Sequence, residues 1–160
     1  ADKAINSSRY KLSVNYLSSE IPVDIVYVDI VTDLAILKTT NGETFSGQLK
    51  ISNLSLSTSG EAMYSMGFPK DQNLNVVAGS YVGSQNLGYS KVTQAILGLS
   101  SGMEGGPCFN DKGEVIGVSR SLDISANHYA GLATLPQIHA MLNNGRRKGS
   151  PNFYLSKIPI

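Results

Sequence analysis

The chain has 160 residues, 41% of them hydrophobic and 16% charged, with a formal net charge of +1. That apolar share excludes a disordered chain, and the near-neutral balance leaves no electrostatic footprint for nucleic acid or an anionic membrane surface. The length fits one ordinary domain or two small barrels, and no apolar run approaches the ~18 residues of a membrane span.

In chain order, Lys11 to Tyr16 alternates Leu12, Val14 and Tyr16 against Ser13 and Asn15, the pattern of a half-buried strand. Ser18-Ser19-Glu20 reads as a polar turn. Ile21 to Ile30 reads as a longer strand with Pro22 near its edge. Val31-Thr32-Asp33 forms a corner, Leu34 to Leu37 a short strand, and Asn41-Gly42 a turn. Ser52 to Gly60 is Ser/Thr-rich connection, and Glu61 to Met66 returns to a strand before Gly67-Phe68-Pro69. Asn73 to Val82 and Lys91 to Ile96 pair through a connection at Gly83 to Gly88.

Phe109 and Val115 to Ser119 flank the hairpin turn Asn110-Asp111-Lys112-Gly113, and Tyr129 to Thr134 is a last strand. Leu135 to Asn144 reads as the one helix, with Ile138, Met141 and Leu142 on a shared face and Gly145 ending it. Arg146-Arg147-Lys148 reads as its solvated exit. The segment from Ser150 to Ile160 carries Phe153, Tyr154, Leu155 and Ile158, too apolar for a free tail, and is expected to lie along a barrel or a neighbouring subunit. Many short strands, 16 glycines and one terminal helix argue an all-β barrel or sandwich class. Cys108 is the single cysteine, so no intrachain disulfide forms and the thiol is expected to pack as a small hydrophobe. There is no signal peptide or initiator Met, so Ala1 reads as a processed start.

The most informative stretch is Gly102-Met103-Glu104-Gly105-Gly106-Pro107, followed by Gly113-Glu114-Val115-Ile116-Gly117-Val118. It resembles the Gly-x-Ser-Gly-Gly-Pro nucleophile turn of trypsin-like serine proteases and the strand after it. Three further segments are similar to landmarks of the HtrA/Deg branch of that family. Thr32-Asp33-Leu34-Ala35-Ile36-Leu37-Lys38 resembles the segment of the catalytic aspartate. Met66-Gly67-Phe68-Pro69 resembles the turn closing the first barrel, and Ala130-Gly131-Leu132-Ala133-Thr134-Leu135-Pro136 the strand that walls the specificity pocket. The resemblance implies a trypsin-like double β-barrel, its first barrel lacking N-terminal strands, with a C-terminal helix. The divisions expected are a partial N-terminal barrel over 1–70, a C-terminal barrel and helix over 71–149, and a tail over 150–160.

The departures bear on chemistry. Glu104 stands where the family's serine would, and a carboxylate there cannot take over acyl transfer because its product would be an anhydride. The family's histidine would lie upstream of the Lys11 strand, and Ala1-Asp2-Lys3 looks like the sequence just after it. Either an N-terminal portion has been removed, or the first barrel is incomplete. His128 and His139 lie near the wrong end of the chain to serve. By resemblance Asp33 is the aspartate that would orient a histidine, with a plain turn-capping role as the alternative. The Gly102 and Glu104 amides would form the oxyanion hole, with the Glu104 side chain long enough to curl back and plug it.

Two other readings of this turn stay open. Ser101 (or Ser100) is the nucleophile with Met103-Glu104 inserted, or Glu104 ligates a metal with Asp33 and an imidazole. The implied substrate-binding residues are Leu99, Ser100, Val118, Ser119, Arg120, Gly131 and Leu132, without a carboxylate among them. A small or medium apolar side chain is therefore the expected guest, with a peptide or protein ligand in the cleft between barrels. No resident metal or cofactor is expected, and an extracytoplasmic home is implied by the family alone. The leading expectation is a non-hydrolytic binding or regulatory module; the rival is an active serine endopeptidase with an upstream histidine.

Overall fold

The computed structural model describes residues 11–56, 58–70, 73–87, 90–120 and 129–147. Its strands are β1 (Ser13–Tyr16), β2 (Ser19–Asp29), β3 (Leu34–Thr39), β4 (Ala62–Gly67), β5 (Asn75–Leu87), β6 (Ser90–Leu97), β7 (Pro107–Phe109), β8 (Val115–Arg120) and β9 (Tyr129–Thr134), followed by the helix α1 (Leu135–Arg147). They form two compact units: 11–48 with 140–147, and 49–139.

The first unit holds an antiparallel three-stranded sheet in the order β1-β2-β3. Tyr16 pairs with Ser19, so the β1–β2 connection is only Leu17-Ser18. Both have positive φ, 46° and 68°, as a two-residue hairpin twisted with its strands requires. The sequence pointed one residue further on, to Ser18-Ser19-Glu20, because neither Leu nor Ser is a usual left-handed residue. Ile21, Val23 and Ile36 are buried, while Leu17 is 80% exposed. In the same unit, Tyr16 and Phe45 meet edge to face at 5.1 Å.

The second unit is a closed six-stranded barrel in the order β4-β5-β6-β9-β8-β7, with β7 returning to β4. Met63, Tyr81, Ala95, Leu97, Cys108, Ile116, Ala130 and Leu132 fill it. The expected division at 70/71 does not match this closure. β4 pairs with both β5 and β7, so Met66-Gly67 ends the barrel's first strand and does not close the preceding unit, and the break in packing falls after Gln48. Alternation shows that β4 is a strand but not which sheet it joins.

β5 is longer than expected. The Gly83 to Leu87 stretch, read as a connection, continues the strand past a register shift between Tyr81 and Gly83 that lets one residue bulge. Ahead of the barrel, Lys50 to Ser52 attaches alongside β8. Val115 N–H donates to Lys50 C=O at 2.8 Å, and Ser52 N–H to Val115 C=O at 2.8 Å. The Lys50 ammonium pairs with Glu114 and is the main cause that lowers that carboxyl to about 2.

α1 also runs further than its sequence suggested. Gly145 does not end it but lies inside, where an added Cβ would sit 2.9 Å from Ile36 Cδ1 and 3.5 Å from Tyr27 Cβ. Close packing, and not a left-handed cap, accounts for that glycine. The tail over 150–160, His128 and the side chains of Arg146, Arg147 and Lys148 lie outside the described residues.

Candidate functional site

The Gly-rich stretch leaves β6 and makes two successive tight turns before β7. Met103 N–H donates to Ser100 C=O at 3.0 Å, and Gly106 N–H to Met103 C=O at 3.2 Å. Gly102 and Gly105 supply the left-handed residues, φ 98° and 86°. The turn sits on the end of β4 and the residues after it. A Cβ on Gly102 would lie 2.8 Å from Phe68 O and 2.9 Å from Lys70 N, and one on Gly106 would overlap Met66 O. Lys70 N–H donates to Ser101 C=O at 3.0 Å. Met103 is fully buried and serves as the turn's anchor.

Ser119 completes the clamp from β8. It is 1% exposed, and its hydroxyl lies 3.1 Å from both Met103 O and Gly106 O, able to donate to either. Its own C=O accepts from Gly105 N–H at 2.8 Å, and its N–H donates to Gly106 C=O at 2.9 Å. The sequence named Ser119 as a pocket wall; its polar atoms are instead engaged in shaping the turn. Strand periodicity, which puts Ser119 on the inward face with Gly117, was the available signal.

The chemistry converges on one contact. Gly102 N–H donates to Glu104 Oε2 at 2.8 Å, so the exposed carboxylate folds back over its own turn. A carboxylate oxygen on a backbone N–H is a charge-assisted hydrogen bond, shorter and stronger than a neutral pair. The backbone donor is fixed by its neighbours, whereas its acceptor is a mobile side chain.

A family model for the trypsin-like peptidase domain matches residues 4–118, well over half of the chain. This protein is a member of the trypsin-like peptidase family. The solved structures agree at the level of the fold. The active form of the Rv3671c protease from M. tuberculosis superposes with a TM-score of 0.73 at 18% identity, covering 84% of this chain and 63% of that one. An inactive form of the same protease gives 0.69 at 17%, over 84% and 72%. The MamO protease domain from Magnetospirillum magneticum, in its apo form, gives 0.65 at 17%, over 80% and 72%. No curated protein matches the chain.

Within this trypsin-like domain the remaining candidates fall into two groups. Ser100, Ser101, Gly102 and Glu104 share the turn and are exposed, and Leu99 packs half-buried against the barrel core. Val118, Ser119 and Arg120 lie on β8 in register with Ala133, Leu132 and Gly131 of β9, so the expected wall residues are neighbours. Leu132, however, is 2% exposed and belongs to the core. It lines a cavity of about 310 Å³ with Tyr81, Thr93, Ile116 and Thr134, whose lining contains none of the turn residues.

Asp33 lies in the first unit at the entry to β3, at φ 56°, a left-handed position that Asp tolerates better than most residues. His139 is exposed on α1. Among the described residues no group of three or more His, Cys, Asp or Glu side chains gathers as a metal site would. Cys108 is buried beside Ser65 in the barrel, and burial pushes its thiol up to about 11.

Proposed function

We propose that this trypsin-like domain is a non-hydrolytic, HtrA/Deg-like binding or regulatory module. In this reading Glu104 takes the place of the attacking serine, and its carboxylate stands guard over the anion-binding amide. The observation that supports it is the 2.8 Å hydrogen bond from Gly102 N–H to Glu104 Oε2. In an acyl-transfer enzyme that donor must be open to the developing oxyanion. Here it faces a full negative charge supplied by the protein itself, which would repel a second one.

The sealed turn also bears on the rival nucleophile. Ser101 precedes the amide donor and its own carbonyl is tied to Lys70 N–H. The Gly102 to Gly106 turn closes with regular hydrogen bonds, which supports reading Met103-Glu104 as part of the turn and not as an insertion. The test is treatment with a fluorophosphonate probe alongside a casein digestion. Neither labelling nor turnover is expected. Labelling that disappears on Ser101→Ala would overturn the reading in favour of an active serine peptidase.

A further inference from the structure

We propose that the turn is a receptor for the C-terminal carboxylate of an apolar-ended peptide, with Glu104 as its built-in competitor. This rests on the reading of the domain as a non-hydrolytic binder. Three features of one short surface carry it. First, Gly102 N–H already holds a carboxylate, so the donor's direction and exposure suit that group. The occupant is a side chain that rotates away without unfolding anything, since the turn is clamped through Met103, Gly106 and Ser119 and not through Glu104.

Second, Lys70 is joined to the turn through its backbone N–H to Ser101, and its side chain is exposed and forms no ion pair with any described residue. A Lys stem rooted there is long enough to bring its ammonium to an incoming anion, as a mobile point charge. Third, Phe68 is 64% exposed, and its carbonyl lies 2.8 Å from where a Gly102 Cβ would be. An exposed aromatic whose backbone abuts the turn offers an apolar side chain somewhere to rest.

An amide donor, a cation and an apolar platform together match the last residue of a peptide, which carries a carboxylate and a hydrophobic side chain on the same α-carbon. They do not match an amidated end, which lacks the charge, or a free amine. Backbone capture of a terminal carboxylate is a recurring mode of peptide recognition. In the resting protein Glu104 competes for the same N–H, so the measured affinity is the intrinsic one reduced by the fraction of time the donor is free.

The test follows the amide resonances of Gly102, Phe68 and Lys70 during titration of the full chain with N-acetylleucine, N-acetylleucinamide and inorganic phosphate. In Glu104→Ala, N-acetylleucine is expected to shift these three saturably and to bind about tenfold more tightly than to the unaltered protein, as the competing occupancy is removed. Glu104→Gln should lie between them, since a neutral amide oxygen is the weaker acceptor. Lys70→Ala in the Glu104→Ala background should lose affinity, and N-acetylleucinamide should produce no shift at these positions.

Equal affinity for the unaltered protein and Glu104→Ala would sink the competitor role. Equal binding of the amide, or of phosphate, would sink the assignment to a peptide C-terminus. Glu104 is exposed, and retained amide dispersion shows that each variant is folded. Fluorophosphonate labelling of the unaltered protein, run in parallel, reports separately on the non-hydrolytic reading. Labelling would overturn that reading, whereas absent binding without labelling overturns only this inference.

Discussion

At the scale of single residues, the turn separates shape from chemistry. Its backbone is dictated by glycines with different reasons for being there, and substitution should tell them apart. Gly106 lies against Met66 C=O, where an added Cβ has no room and only main chain to displace. Gly106→Ala is therefore expected to cost about 3 kcal/mol or more in a urea unfolding series. Gly105 has nothing within 4 Å of the same position but sits at φ 86°. Gly105→Ala should cost only about 1 kcal/mol, the penalty of a left-handed alanine. Equal losses at the two sites would mean that the contact with β4 does not hold the turn.

Cys108 offers a second residue-scale test. A thiol in the unfolded chain ionises near 9.0, while burial holds the folded one to about 11. Above the lower value the unfolded chain releases a proton that the native state keeps, so stability is complete below it. It should then fall as pH rises towards the upper value, and Cys108→Ala should remove that part of the alkaline slope. A thiol reagent at neutral pH should label the native protein only as fast as it opens.

At the scale of elements, local pattern and long-range partnership part company. β9 was legible to the residue, because Tyr129 to Thr134 is a short apolar run halted by Leu135-Pro136 at the helix entry. The far half of β5 was not, since Gly83, Ser84 and Asn86 have turn chemistry and only pairing with β6 makes them strand. The candidate turn was legible from its glycines, and Glu104 from its oddity there. Phe68 and Lys70 were not singled out for it, because their relation to the turn spans residues far apart in the chain and leaves no local trace; Ser119 was named as a pocket wall, and only its inward strand position hinted at the clamp. The β1–β2 hairpin carries its own prediction. Leu17 and Ser18 occupy φ values that asparagine and glycine adopt at lower cost, and Leu17 is 80% exposed and so gives up little packing. The double substitution Leu17→Asn with Ser18→Gly should stabilise by about 1 kcal/mol, read as a raised urea midpoint with unchanged slope. A fall in the midpoint would show that the hairpin does not have this geometry.

At the scale of the whole molecule, the two units differ in how their strands are closed. Every strand of the barrel has a hydrogen-bonded neighbour on each side, while β1 and β3 each have one neighbour in the sheet of the first unit. Hydrogen exchange followed by mass spectrometry should find the amides of β4 to β9 slower than those of β1 and β3. The reverse order would mean that the first unit's sheet is the better protected of the two. The clamp from Ser119 has a corollary at this scale as well. Because nothing in the loop's hydrogen-bonded frame, apart from the Gly102 link, consults the side chain at 104, that position is a socket whose fitting can be exchanged while the wall around it stands. Other side chains installed there would be carried by the same backbone turn, so residue 104 can be exchanged without rebuilding its surroundings.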